Sequence, residues 1–153
     1  MTTKINPVTE FEIAVNEHFK PLAKRLTLRF AGDDDCFVMI AADISVQIRF
    51  FKSHGGYDVV VGIAPLYQAR RNPPDERGLG WFTEYLGFGT IPKDRIASPA
   101  EISGRVLELS GFTDQVLERV FASGDKFWPP FYYYVSAEIA RMPEPEWLKS
   151  YKR

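Results

Sequence analysis

Between Cys36 and Phe50 every even position is apolar: Cys36, Val38, Ile40, Ala42, Ile44, Val46, Ile48 and Phe50. The odd positions turn polar from Asp43 onward, at Asp43, Ser45, Gln47 and Arg49. A period of two sends successive side chains to opposite faces of a strand, so this stretch specifies β-structure with one buried face. One strand of that length far exceeds the usual ~5 or 6 residues, which favours two strands joined at Ala41-Ala42-Asp43. A three-residue loop there keeps the even positions on one face. His54-Gly55-Gly56 is turn chemistry, and Tyr57 to Ile63 reads as a further strand ending at Pro65. Upstream, Leu26, Leu28 and Phe30 alternate with Arg25, Thr27 and Arg29, and Gly32-Asp33-Asp34-Asp35 makes a turn. The middle of the chain is therefore expected to be an antiparallel meander of three or four strands.

Helical periodicity brackets this meander. Near Asn6 or Thr9 a helix starts, with Pro7 in its first turn and Thr9 and Glu12 at capping-box spacing. Phe11, Val15, Phe19 and Leu22 form its core stripe, Glu12, Asn16 and Lys20 face water, and Pro21 kinks or ends it. Residues 66–97 are irregular. Arg70 to Arg77 (RRNPPDER) reads as a mobile charged loop, and Gly78 to Gly89 brackets one or two helical turns whose apolar face is Trp81, Phe82, Tyr85 and Leu86. Ser98-Pro99-Ala100-Glu101 joins a cap, a first-turn proline and a capping-box glutamate, and Glu101 and Arg105 stand at ion-pair spacing. Ile102, Val106 and Leu109 line that helix and Gly111 closes it. A second helix opens at Thr113, buries Val116, Leu117, Val120 and Phe121, and stops at Gly124. A third runs from Pro129-Pro130 to about Arg141 with Phe131, Val135, Ile139 and Met142 buried, and Pro143 and Pro145 end it.

The 153 residues suit one domain spanning 1–153, with a frayed tail at 146–153. Nineteen basic against twenty acidic residues leave a net charge of −1, so no global field draws in nucleic acid or an anionic membrane. A lone Cys36 excludes an intrachain disulfide framework and a cysteine zinc cluster, and suits a reducing compartment. MTTKINPVTE lacks the basic start and apolar stretch of a secretory signal, and no apolar run reaches the ~18 residues of a spanning helix. The expected location is the cytoplasm.

Reactive groupings are sparse. His18 and His54 are far apart and, with Cys36, match no metal-ligand spacing, so neither a metal nor a cofactor is expected. Cys36, on the apolar parity, reads as a small buried hydrophobe. Asp33, Asp34 and Asp35 lack the glycine and terminal glutamate of a calcium loop and read as a charged hairpin turn. The glycines of 78–89 form neither a P-loop nor a dinucleotide fingerprint. Arg70, Arg71 and Arg77 are interrupted by Asp75 and Glu76, leaving few phosphate contacts. Hence no catalytic residue is assigned, which points away from an enzyme.

What stands out is Phe127-Trp128-Pro129-Pro130-Phe131-Tyr132-Tyr133-Tyr134. At 100° per residue three adjacent tyrosines cannot all be inside, and Tyr133 projects about 160° from the Phe131–Val135 stripe. Exposed Tyr and Trp give large contact area at small entropy cost, so this segment is the expected partner-facing feature. Its contact residues would be Trp128, Tyr132 and Tyr133, with Trp81 and Tyr85 as a second cluster.

The order of elements around Cys36 to Ile63 (CFVMIAADISVQIRFFKSHGGYDVVVGI), followed by an aromatic loop and C-terminal helices, resembles small bacterial single-domain proteins. Some of these act as immunity proteins of polymorphic or contact-dependent toxin systems. The resemblance spans residues 8–142 as architecture without a diagnostic motif, and it implies fold layout and a non-enzymatic binding role while assigning no functional residue. The expectation is thus an α+β domain, with an N-terminal helix and a C-terminal helical group packed on one face of the meander. It would serve as a protein-binding module, in the sharpest form an immunity protein that occludes a toxin domain; a homodimer contact is open. The alternative is a small-ligand binder or enzyme with an aromatic-lined pocket between sheet and helices, using His54 or the 33–35 carboxylates.

Overall fold

The computed structural model describes residues 6–53, 55–66 and 76–143. It is an α+β fold in the order α1 (Pro7–His18), α2 (Lys20–Arg25), β1 (Arg29–Asp33), β2 (Cys36–Ile40), β3 (Ile44–Ser53), β4 (Gly56–Pro65), β5 (Arg77–Gly78) and α3 (Leu79–Leu86). A 3₁₀ turn (Pro99–Glu101), α4 (Ile102–Ser123), a second 3₁₀ turn (Gly124–Phe127) and α5 (Trp128–Arg141) complete it. The sheet is an antiparallel meander in sequence order, with five strands where three or four were expected. Residues 67–75, including most of the expected charged loop, as well as His54 and the tail from 144, lie outside the described residues.

Register explains the buried face. Phe30 opposes Met39, Met39 opposes Val46, and Val46 opposes Ile63; Phe37, Ile48 and Val61 form a parallel row. Phe37, Met39, Ile44, Val46, Ile48, Phe50, Val59, Val61 and Ile63 are all buried. The expected two-strand solution holds for 36–53, but the parity does not. Paired residue numbers of β2 and β3 sum to an odd number, as in Met39 with Val46, so odd positions of β2 share a face with even positions of β3. The strands join at Ala41-Ala42-Asp43 as expected, but the register is offset, Ile40 opposing Ser45, and Ala41 N–H donates to Ile44 C=O across the turn at 3.0 Å. A phenyl ring and a thioether bury more apolar surface than a thiol and an isopropyl group, so Phe37 and Met39 turn inward. Cys36 is exposed, correcting its expected burial.

Helix α1 starts at an Asn6 cap whose side chain accepts from Val8 N–H, with Pro7 in the first turn. Phe11 enters the sheet face, its ring 5.9 Å from Phe37 and 5.3 Å from Phe50. Pro21 breaks the helix as expected: α1 ends at His18 and α2 resumes with Pro21 in its first turn. That second helix displaces the expected strand at 26–30. Thr27 takes φ 59°, Leu28 N–H donates to Ala23 C=O at 2.8 Å, and β1 begins only at Arg29. Gly32 and Asp33 join β1, which leaves Asp34-Asp35 as the hairpin loop. Glu12, expected in water, is half-buried and its carboxylate accepts from Asp34 N–H at 2.9 Å, tying α1 to that loop.

Helix α4 is continuous through Gly111, so the expected break into two helices is corrected. A mid-helix glycine costs ~1 kcal/mol relative to alanine. The stripe of Ile102, Val106, Leu109, Thr113, Val116, Leu117 and Val120 stays in phase across it and outweighs that cost. Thr113, read as a helix start, is buried and its hydroxyl donates back to Leu109 C=O at 2.7 Å. Phe121 lies at the surface because Val120 takes the inward place. The expected Glu101–Arg105 pair also gives way: the Arg105 guanidinium donates to Asp94 C=O at 2.8 Å. No helix among the described residues is long and apolar enough to cross a membrane.

Candidate functional site

The ring-rich segments converge where α3 meets α5. Helix α3 is bracketed by the glycines that sequence marked. Gly78 occupies the N-cap, Gly87 adopts φ 76° at the C-cap, and Phe88 N–H closes the end on Thr83 C=O at 2.8 Å. Helix α5 carries prolines in its first turn and ends where Met142 turns extended ahead of Pro143. Between them Phe82 stacks on Phe131 at 4.2 Å and lies parallel to Phe127 at 6.1 Å, while Trp128 presents an edge to Phe82 at 6.0 Å. Tyr85 seals one side against Phe127, Phe131 and Tyr134, and Tyr132 stacks on Trp128 at 5.8 Å.

Most of the aromatic excess is therefore core. Trp128 is 5% exposed, which removes it from the expected contact residues. Tyr132, Trp81 and Tyr85 are half-buried and packed against the core cluster. Tyr133 is 79% exposed, the most exposed of the large apolar side chains among the described residues, in line with its expected angle from the buried stripe. Ile139 and Met142, expected inside, are exposed as well.

Around Tyr133 the outer side of α5 carries Pro129, Pro130, Ser136, Ile139 and Ala140, all exposed and all uncharged. Arg141 is its only exposed charge, and Glu138 pairs with it at 3.0 Å. The outer side of α4 carries Glu108, Glu118 and Arg119. Tyr134, at the flank of α5, has its phenol pushed above the usual range, chiefly by desolvation and then by the Glu138 and Glu84 carboxylates.

The sheet face opposite the core holds a polar cluster that sequence did not reveal. The Arg49 guanidinium donates to Gln47 and to Glu76, the latter at 3.2 Å. Glu76 lies over Gly62, where any β-carbon would collide with its carboxyl group. Burial pushes the Glu76 carboxyl above its usual range against the opposing pull of Arg49. Glu76 itself belongs to the Arg70 to Arg77 segment that pattern alone read as a mobile charged loop. Among the described residues no three His, Cys, Asp or Glu side chains converge as metal ligands.

Of the clefts between sheet and helices, one of about 300 Å3 runs along the outer edge of β4. Its walls are Val59, Val61, Leu79, Ile91, Pro92 and Leu109, with Asp58, Glu84 and Lys93 among them. No aromatic side chain lines it among the described residues, and neither do Asp33, Asp34 or Asp35. An adjoining recess of about 270 Å3 shares Gly78, Gly80, Glu84 and Lys93 and adds Trp81, Glu138 and Met142.

The chain matches no protein-family model, no curated protein and no solved structure.

Proposed function

We propose that the protein is a non-enzymatic protein-binding module whose contact centres on Tyr133 and the uncharged outer side of α5. The observation that carries this reading is a tyrosine 79% exposed in the middle of a helix face without a single unpaired charge. A solvated helix face ordinarily carries charge, whereas interface cores are depleted of it and enriched in tyrosine. The rigid ring stack beneath fixes the backbone of α5, so a partner would meet a surface that needs little ordering. Occlusion of a toxin domain by an immunity protein is the particular form of binding that the layout of elements suggests, with Tyr132, Trp81 and Tyr85 at the margin of the contact.

Capture from native lysate with wild type and Tyr133→Ala tests the proposal. Loss of a central interface tyrosine typically costs ~2 kcal/mol or more, a fall of about thirtyfold in affinity. The expected result is a partner, or a second copy of this chain, retained by wild type and lost by the variant at unchanged stability. Equal retention by both proteins removes α5 from the interface.

A further inference from the structure

We propose that the cleft along the edge of β4 is a slot for an extended peptide segment of a partner protein, one carrying an aliphatic residue beside basic ones. Its adjoining recess reaches Trp81 and Glu138 at the border of the α5 face, but Tyr133 does not line it.

Strand pairing along this edge is interrupted. Tyr57 exchanges both backbone hydrogen bonds with Ile96 at 2.9 Å, an isolated antiparallel bridge. Farther along the same edge, β5 pairs with Gly62 and Ile63. Alternate residues of an antiparallel strand point their N–H and C=O to the same side, so Val59 presents both groups to this edge. No hydrogen bond to either group crosses this edge among the described residues.

The chain that ought to pair there is held off. Two residues from the bridge on each strand, a regular continuation would set Asp94 opposite Val59. Asp94 C=O is instead taken by the Arg105 guanidinium at 2.8 Å. Two residues farther, Pro92 would face Val61, and proline has no N–H to donate. The segment Thr90–Lys93 thus peels from β4 and becomes the far wall of the cleft. An unpaired strand edge is a template for another strand, and here two pairings frame it so that only a short segment fits.

The lining states which segment. Val61, Leu79, Ile91 and Leu109 offer an aliphatic interior. Across the cleft and its adjoining recess, the carboxylates of Asp58, Glu84 and Glu138 stand against the single ammonium of Lys93, with Glu138 also engaged by Arg141. A Val or Ile side chain would fill the interior while a flanking Lys or Arg meets Glu84.

The test is an amide-shift titration of isotope-labelled protein with acetyl-Lys-Ile-Thr-Val-Arg-amide. Shifts should concentrate at Val59, Val61, Gly80, Ile91 and Lys93. Methylating the central peptide nitrogen, or replacing both basic residues by Glu, should each weaken binding by about tenfold. Gly80→Leu supplies the block. Gly80 lines the cleft within α3, its φ is not positive, and an added β-carbon would meet only Ile91 Cγ1 at 3.8 Å. That variant should fold and lose the shifts. Absence of shifts up to millimolar peptide, shifts unchanged in Gly80→Leu, or shifts clustered at Tyr133 would each overturn the slot. Its failure leaves the lysate comparison at Tyr133 untouched.

Discussion

Phe131 and Tyr133 sit two residues apart on one helix and belong to different economies of the molecule. Phe131 is fully buried and touches Phe82, Tyr85, Phe127, Trp128 and Tyr132. Tyr133 is 79% exposed, with no ring contact among the described residues. An aromatic run therefore does not mark an interface as a whole. A 100° turn per residue spreads the rings around the helix axis, and only those left outside are free to recognise something.

The division can be broken most forcefully from the inside. Phe131→Ala removes the centre of the ring stack and should cost about 3–5 kcal/mol in denaturant unfolding. A loss under ~1 kcal/mol would mean that the stack does not hold α5 in place. Smaller and opposite in sign is Gly111→Ala on the outer side of α4. Nothing lies within 4 Å of the added β-carbon, so the variant should gain about 0.5–1 kcal/mol. It should leave any partner affinity unchanged, setting α4 as the stability-only counterpart of α5.

The smallest effect lies at the border between the two sides. With its phenol raised mainly by desolvation, Tyr134 is harder to ionise in the folded chain than in the unfolded one. Its favourable contribution is present below the ordinary tyrosine range and is lost as pH rises through the raised value. Tyr134→Phe should therefore unfold at higher pH than wild type in an alkaline titration. Coincident titration curves would show that the flank of α5 is as solvated as its outer side.

How far sequence reaches follows the same local-versus-tertiary line. The turn at Gly55-Gly56, the glycine brackets of α3 and the Asn6–Pro7 start were legible because each is a local backbone demand. The inward parity of β2 was not, since it depends on the pairing register across Ala41–Asp43, which sets Ile40 opposite Ser45 and Met39 opposite Val46. Continuity through Gly111 was hidden for a related reason: burial of Thr113 and Val116 overrides a local stop signal. Among the residues expected to make contact, the exposure of Tyr133 was readable from helical angle alone, while Trp128 was claimed by the core through Phe82 on another helix. The β4 cleft left no trace in pattern, because Pro92 and Arg105 act on it only through register and packing.

The most direct measurement places a photo-crosslinking benzoylphenylalanine at position 133 and, separately, at Gln115 on the exposed side of α4 in cells. A partner contact centred on the outer side of α5 predicts a discrete adduct from position 133 and none from position 115, with its mass separating a foreign protein from a second copy. Equal labelling at both positions, or none at 133, would contradict it.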